Sequence, residues 1–244
     1  MSGRIVLITG GAKGIGRAIG LDLASSGWDV AFCYRKSDAE ADETVSLLKK
    51  AGRRVLAERC DVSDPDAAAR FVGKVERDFG PVEAVINGAG PYHRVNIMEE
   101  TAAGWREMFS NNLDSVFYVC KAVSSGMKAR KRGRIVTFSM ANADQMIAQP
   151  GLTAHYIAKS GVLILTRTLA KALAPHGITV NAISPGFINS GSAPEAELAD
   201  MAKKIPAGYV GDVKDCVAAV RFLLSDEARY VNGTNIHLSG AWGI

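Results

Sequence analysis

The chain has 244 residues, 48% of them hydrophobic, and a formal net charge of +4 at pH 7 from 29 Lys and Arg against 25 Asp and Glu. Such a length and apolar share suit one large α/β domain with a substantial core. The basic residues are scattered, which excludes a dedicated nucleic-acid arm, and no run of roughly 18 apolar residues offers a membrane span.

The opening run Ile5-Val6-Leu7-Ile8 reads as a buried strand rather than as the apolar stretch of a signal peptide. It feeds Thr9-Gly10-Gly11-Ala12-Lys13-Gly14-Ile15-Gly16, after which apolar residues recur at helical spacing as far as Leu23. Glycines let a backbone turn tightly and approach a ligand that a Cβ would block. A helix N-terminus aimed at that turn offers free N–H groups and a positive dipole end, which suits the pyrophosphate of a dinucleotide. Strands are predicted at 4–9, 29–34, 54–59, 83–87, 133–138, 178–183 and 234–238. Helices are predicted at 14–26, 38–51, 65–79, 101–129, 154–174 and 212–224. The alternation implies right-handed crossovers and a seven-stranded parallel sheet covered on both faces, a doubly wound Rossmann fold. Residues 1–244 form one domain in this reading. The Ser-, Ala-, Pro- and Lys-rich stretch 189–210 breaks the rhythm and reads either as a substrate lid or as a surface excursion. Cys33, Cys60, Cys120 and Cys216 stand singly with no C-x-x-C pair, as suits a reduced cytoplasmic protein with no metal site.

The glycine spacing is not G-x-G-x-x-G, because Ile19 stands where the third glycine belongs. It is Thr-Gly-x-x-x-Gly-x-Gly on Gly10, Gly14 and Gly16, and this resembles the short-chain dehydrogenase/reductase family. Further motifs in the same order extend the resemblance over essentially the whole chain. Cys60-Asp61-Val62 resembles the family's adenine contact, and Asn87-Gly88-Ala89-Gly90 its Asn-Asn-Ala-Gly turn beside the cofactor ribose. Asn181 to Ser190 resembles the segment that cradles the nicotinamide carboxamide, with Pro185-Gly186 at the turn, the Ile188 backbone facing the amide and Ser190 in place of a more usual Thr. The resemblance therefore implies Gly10, Lys13, Gly14, Ile15, Gly16, Asp61, Val62, Asn87, Ala89, Gly90, Pro185, Gly186, Ile188 and Ser190 as cofactor contacts. The second strand ends in Arg35 and Lys36 rather than an Asp or Glu, and Lys13 stands in the glycine turn. Cations there favour a 2′-phosphate, hence NADP(H) over NAD(H). The other reading is that Arg35 and Lys36 are solvated loop charges.

The family moves a hydride between nicotinamide and a carbonyl carbon while a tyrosine handles the proton. A lysine one helical turn later lowers the tyrosine pKa and binds ribose, a Ser orients the substrate oxygen, and an Asn supports a water relay. Asn112 and Lys159 align with the family Asn and Lys. The tyrosine position holds His155, with Tyr156 next door, and the Ser position holds Met140, with Ser139 before it. Three readings are open. The roles have shifted by one residue to Tyr156 and Ser139; or His155 is the proton donor, its pKa lowered by Lys159; or the acid site is lost and cofactor binding alone persists.

By overall look the nearest relatives are 3-oxoacyl-acyl-carrier-protein reductases. This implies NADPH-dependent reduction of a carbonyl on a small-molecule or acyl-carrier-linked substrate, in a homotetramer or else a dimer. Pairing would run through helices four and five and the apolar tail ending at Ile244. A C=C (enoyl) reductase, a pteridine reductase and a non-catalytic NADP(H)-binding sensor or scaffold are the alternatives. The basic run Lys128, Arg130, Lys131, Arg132 and Arg134 reads as a solvated helix end or as a patch for an acidic carrier protein.

Overall fold

Ile5–Thr9 forms strand β1, and all five of its side chains are buried. A run buried on both faces belongs in the middle of a parallel sheet, where helices cover each side. In the computed structural model, which describes residues 3–191 and 194–243, β1 pairs in parallel with β2 (Asp29–Tyr34) and β4 (Val82–Asn87). Strand β3 (Val55–Arg59) lies outside β2. Beyond β4 follow β5 (Gly133–Phe138), β6 (Ile178–Pro185) and, at the far edge, β9 (Asn235–Leu238). The order is β3-β2-β1-β4-β5-β6-β9, with every pair parallel. The seven strands and the doubly wound fold are those predicted.

Alternation along each strand divides the core in two. Leu7, Val85, Ile135 and Val180 face α3 (Pro65–Lys74), α5 (Ser115–Arg130) and α6 (Thr153–Leu173). Val6, Ile8, Ile86, Val136 and Ile183 face α1 (Gly14–Ser25), α2 (Asp38–Lys50) and α8 (Val213–Leu224). The connections leave β1 and β4 in opposite directions, so a crevice opens above their C-terminal ends, where open α/β sheets bind ligands.

Two helices depart from their predicted course. The stretch after α3 widens into a π-helix at Val75–Phe79. The single helix predicted for 101–129 is α4 (Ala102–Phe109), a π turn at Ser110–Asp114, then α5. The 189–210 stretch carries β7 (Ile188–Asn189) into its start, then α7 (Glu195–Ala202), with β8 (Gly211–Asp212) closing on β7. Ser192 and Ala193 of that stretch, and Ile244 of the tail, lie outside the described residues. No helix among the described residues is long and apolar enough to cross a membrane.

The glycine turn is built as its sequence demands. Gly10 and Gly14 have φ of +72° and +56°, in the left-handed region that favours glycine. A Cβ on Gly16 would meet the Gly10 carbonyl oxygen, and the Gly11 Cα at 3.1 Å. Both obstacles are backbone and cannot swing aside. Gly16→Ala is therefore expected to lower unfolding free energy by about 1–3 kcal/mol, the usual cost of overpacking. Gly73→Ala, in α3 with nothing within 4 Å of its Cβ, should be neutral or stabilising by up to about 1 kcal/mol. Urea unfolding of the two variants checks the contrast.

Candidate active site

A cleft of about 670 Å³ opens at the crevice. Its floor is the glycine turn: Gly10, Lys13, Gly14, Ile15 and Gly16 line it. No side chain caps α1, so its first-turn N–H groups are left for an anion. Gly14 and Ser190 face each other, a Gly14 Cβ position lying 3.7 Å from the Ser190 Cβ. The wall at the end of β2 is Arg35, Lys36 and Ser37, and that at the end of β3 is Cys60, Asp61 and Val62. Ala89 and Gly90 complete it from the β4 side.

The charges at this rim are interlocked. Arg35 Nη1 donates to Asn111 Oδ1 at 3.0 Å and lies 3.8 Å from Asp61, while its Nη2 lies 3.6 Å from Glu107. Asp61 Oδ1 accepts from Ser63 N and Oγ, while the neighbouring Asp64 caps α3. Lys13 pairs loosely with Glu40 at 3.7 Å, and Lys36 is exposed.

A second constellation sits deeper, where β4, β5, α6 and the π turn converge. Lys159 is buried, and its Nζ donates to the Phe138 carbonyl at 2.9 Å. Burial brings its pKa down to about 8. Asn112, drawn in by the π turn, donates from Nδ2 to the carbonyls of Pro91 (3.1 Å) and Met108 (3.0 Å). Its Oδ1 is buried without a partner. A Cβ on Gly90 would run into that Oδ1 and lie 3.4 Å from Lys159 Nζ, so the three residues enclose one small space. His155 stands one helical turn before Lys159, buried, with its Nδ1 lacking a partner. Its pKa falls to about 4, chiefly through burial and then through the Lys159 charge, against the Pro91 carbonyl, which raises it. The ring is therefore neutral at pH 7. Buried polar atoms are normally paired; here Asn112 Oδ1 is unpaired beside Lys159 Nζ, and a ring nitrogen of His155 is unpaired as well. They fit ribose hydroxyls and an ordered water.

The two shifted candidates lie differently. Tyr156 is buried, and its hydroxyl donates to the Asn142 carbonyl at 2.7 Å while accepting from Ile147 N at 3.1 Å. Both functions of the phenol are spent on the 139–150 loop. Ser139 stays in register, its N donating to Ile183 O, and its Oγ donates to the Lys159 carbonyl at 2.7 Å. That hydroxyl faces α6 rather than the cleft. Met140 packs against Ala143, Leu163 and Ala182. Asn87 turns from the cleft, its Nδ2 donating to Cys120 Sγ at 3.5 Å. Pro185 ends β6, and Gly186 and Ile188 follow it, with Gly186 N bonded to Leu238 O. Tyr92, on the connection after β4, meets His155 edge-on, the ring centroids 5.2 Å apart. The basic run before β5 lies at the opposite end of the sheet, about 20 Å away by strand length. Its members pair within the chain: Arg130 with Glu76, Arg132 with Glu83, and Arg134 with Asp226.

An open parallel sheet with a glycine turn at its switch point, and a buried Lys and Asn beyond it, defines a dinucleotide-binding oxidoreductase fold. Comparison with known proteins narrows the class. A family model described as enoyl-(acyl carrier protein) reductase matches residues 10–241. The 3-oxoacyl-acyl-carrier-protein reductase FabG of Haemophilus influenzae is 33% identical over 98% of both chains. The acetoacetyl-CoA reductase of Shinella zoogloeoides is 35% identical over 97% of both. The solved structure of levodione reductase superposes with a TM-score of 0.90 at 28% identity, covering 97% of this chain and 96% of its own. The chain belongs to the short-chain dehydrogenase/reductase family, whose members use a nicotinamide cofactor.

His155 gives the site a measurable signature. Between its ordinary 6.5 and its folded value of about 4, the unfolded chain binds a proton that the folded chain does not. Stability therefore falls as pH drops through that window, by up to about 3 kcal/mol from this group. Urea unfolding across the window should show a shallower fall for His155→Gln than for the parent. Parallel slopes would contradict the assignment.

Proposed function

We propose that this chain is an NADPH-dependent oxidoreductase that reduces the carbonyl of a 3-oxoacyl or similar ketone substrate. The observation that carries the reading is the gathering of Lys159, Asn112 and Gly90 around one enclosed, unsatisfied polar space beyond the glycine turn. The pyrophosphate would rest on the turn of Gly10, Gly14, Ile15 and Gly16. Asp61 and Val62 would border the adenine, and Ala89 and Gly90 the ribose, while Asn87, turned to Cys120, would stand behind them. Pro185, Gly186, Ile188 and Ser190 would hold the carboxamide. The names of the relatives support acyl-thioester substrates.

When bound, the cofactor supplies the hydride. The protein does the rest by placement and charge. Lys159, mostly protonated below pH 8, binds the nicotinamide ribose and holds a positive potential beside the developing alkoxide. Asn112 Oδ1 anchors a water against Lys159 Nζ. His155 is neutral at pH 7 and adds no charge beside Lys159. Ser139 and Tyr156 fix the strand end and loop rather than touch substrate. We further assign 189–210, whose helix α7 buries none of its residues, to the lid over the substrate, and the working unit to a cytoplasmic homotetramer. Exposed Phe117 on α5, and Ile157 and Ile164 on α6, favour pairing through those helices.

Arg35 and Lys36 belong to the 2′-phosphate. Their joint replacement by Ala should weaken NADPH about tenfold or more, the scale of lost charge-assisted hydrogen bonds, and leave NADH within about twofold in calorimetry. Equal losses for the two cofactors would contradict the assignment. Activity is tested by NADPH oxidation over 3-oxoacyl thioesters, simple ketones and an enoyl thioester. Carbonyl turnover is expected, with Lys159→Met lowering kcat on the order of 10²-fold or more. Turnover of the enoyl thioester alone would make this a double-bond reductase. NADPH binding without turnover of any compound would make it a cofactor-binding sensor or scaffold.

A further inference from the structure

The departures at Met140 and His155 leave the site without an evident acid. Tyr156 spends its proton on the Asn142 carbonyl, and the His155 ring is neutral at pH 7, with the Pro91 carbonyl against it. A different hydroxyl is carried by the residue whose ring packs on His155. Tyr92 lies two residues past Gly90, on the connection after β4. Its ring packs edge-on against His155, with centroids 5.2 Å apart and planes at 88°. It is 54% exposed, and the residue before it, Pro91, lines the cleft. Its hydroxyl oxygen accepts a 2.7 Å hydrogen bond from Arg94 Nε. That geometry matters: with its oxygen already accepting, the phenol keeps its own proton to donate. A phenolate left behind would lie against the Arg94 guanidinium.

We propose that Tyr92 is the catalytic proton donor of this chain, taking over from the loop after β4 the role that its relatives give to a tyrosine of the helix α6. The inference rests on the carbonyl-reductase reading above. In the step, the carbonyl carbon accepts the hydride supplied by the reduced nicotinamide, and the C=O π pair moves onto oxygen. That oxygen takes the Tyr92 Oη proton as the Oη–H bond breaks. The phenolate remains paired with Arg94 and regains a proton from solvent. Lys159 stays ammonium throughout. The loop thus supplies both the hydroxyl and its cation, where the helix supplies only the lysine. Arg94 is the positioning residue of the pair, and Glu197 of α7 contributes to the field around it.

The test uses the full chain and an acetoacetyl thioester, with two readouts. In single-turnover NADPH oxidation, Tyr92→Phe should cut the rate on the order of 10²-fold or more with NADPH affinity unchanged by calorimetry. In the inert complex with NADP⁺, where no turnover occurs, Tyr92→Phe should bind the thioester about tenfold more weakly, the loss of one hydrogen bond. The second readout stands even if the parent reduces nothing, so failure of the reductase reading and failure of this inference are told apart. Equal thioester affinity in parent and Tyr92→Phe, or none in either, overturns the proposal. So does a Tyr92→Phe rate within twofold of the parent, or a loss of chemistry confined to a folded Tyr156→Phe variant.

Discussion

Holding the Lys159 ammonium inside the protein is the constraint on which the catalytic end depends. Taking an amine out of water disfavours its charged form, and the fall of its pKa to about 8 records that cost. The protein returns little of it: one hydrogen bond, to the carbonyl of Phe138 at the last position of β5. Beside it, Ser139 Oγ bonds the carbonyl of Lys159 itself. Strand end and helix are thus tied twice across the same residue, and Nζ cannot drift. A buried cation with spare donors, facing a carboxamide oxygen that has no partner, is poor economy for stability alone. It is the arrangement expected of a site whose missing acceptors arrive with a ligand.

Around this fixed point, the replaced residues have structural partners of their own. Met140 fills apolar space between the 139–150 loop, α6 and β6. Tyr156 clasps that loop at Asn142 and Ile147, and Ser160 Oγ adds a third tie to the Ala143 carbonyl. The loop is therefore stapled to α6 at three points. His155 fits its ring against Tyr92 instead.

Much of the fold was legible because its signals are local. A buried run followed by a glycine turn needs only adjacent residues, so β1 and the start of α1 fall where Ile5 to Gly16 predict them. The register of Tyr156 was not legible. One residue along a helix is a turn of about 100°, and whether that swing leaves a hydroxyl beside Lys159 or inside the next loop is settled by where Asn142 and Ile147 come to rest. Asn87 was open for the same reason: its partner, Cys120, is 33 residues away. The two-residue strands β7 and β8 have no periodicity to read at all. The contact of Tyr92 with His155 is likewise a tertiary one that no local pattern announces.

The π turn at Ser110–Asp114 brings Asn112 inward, and its permanence is decided further along the chain. A π turn holds one residue more than the α-helical turn it replaces. Excising a residue there would restore regular winding, but it would also rotate everything downstream by about 100°. Val116, Val119, Val123 and Met127, which α5 now buries against the sheet, would swing towards solvent together. The widened turn is thereby protected from deletion by the hydrophobic phase of a helix that never touches the cleft, and the site inherits its asparagine from the packing requirements of the core.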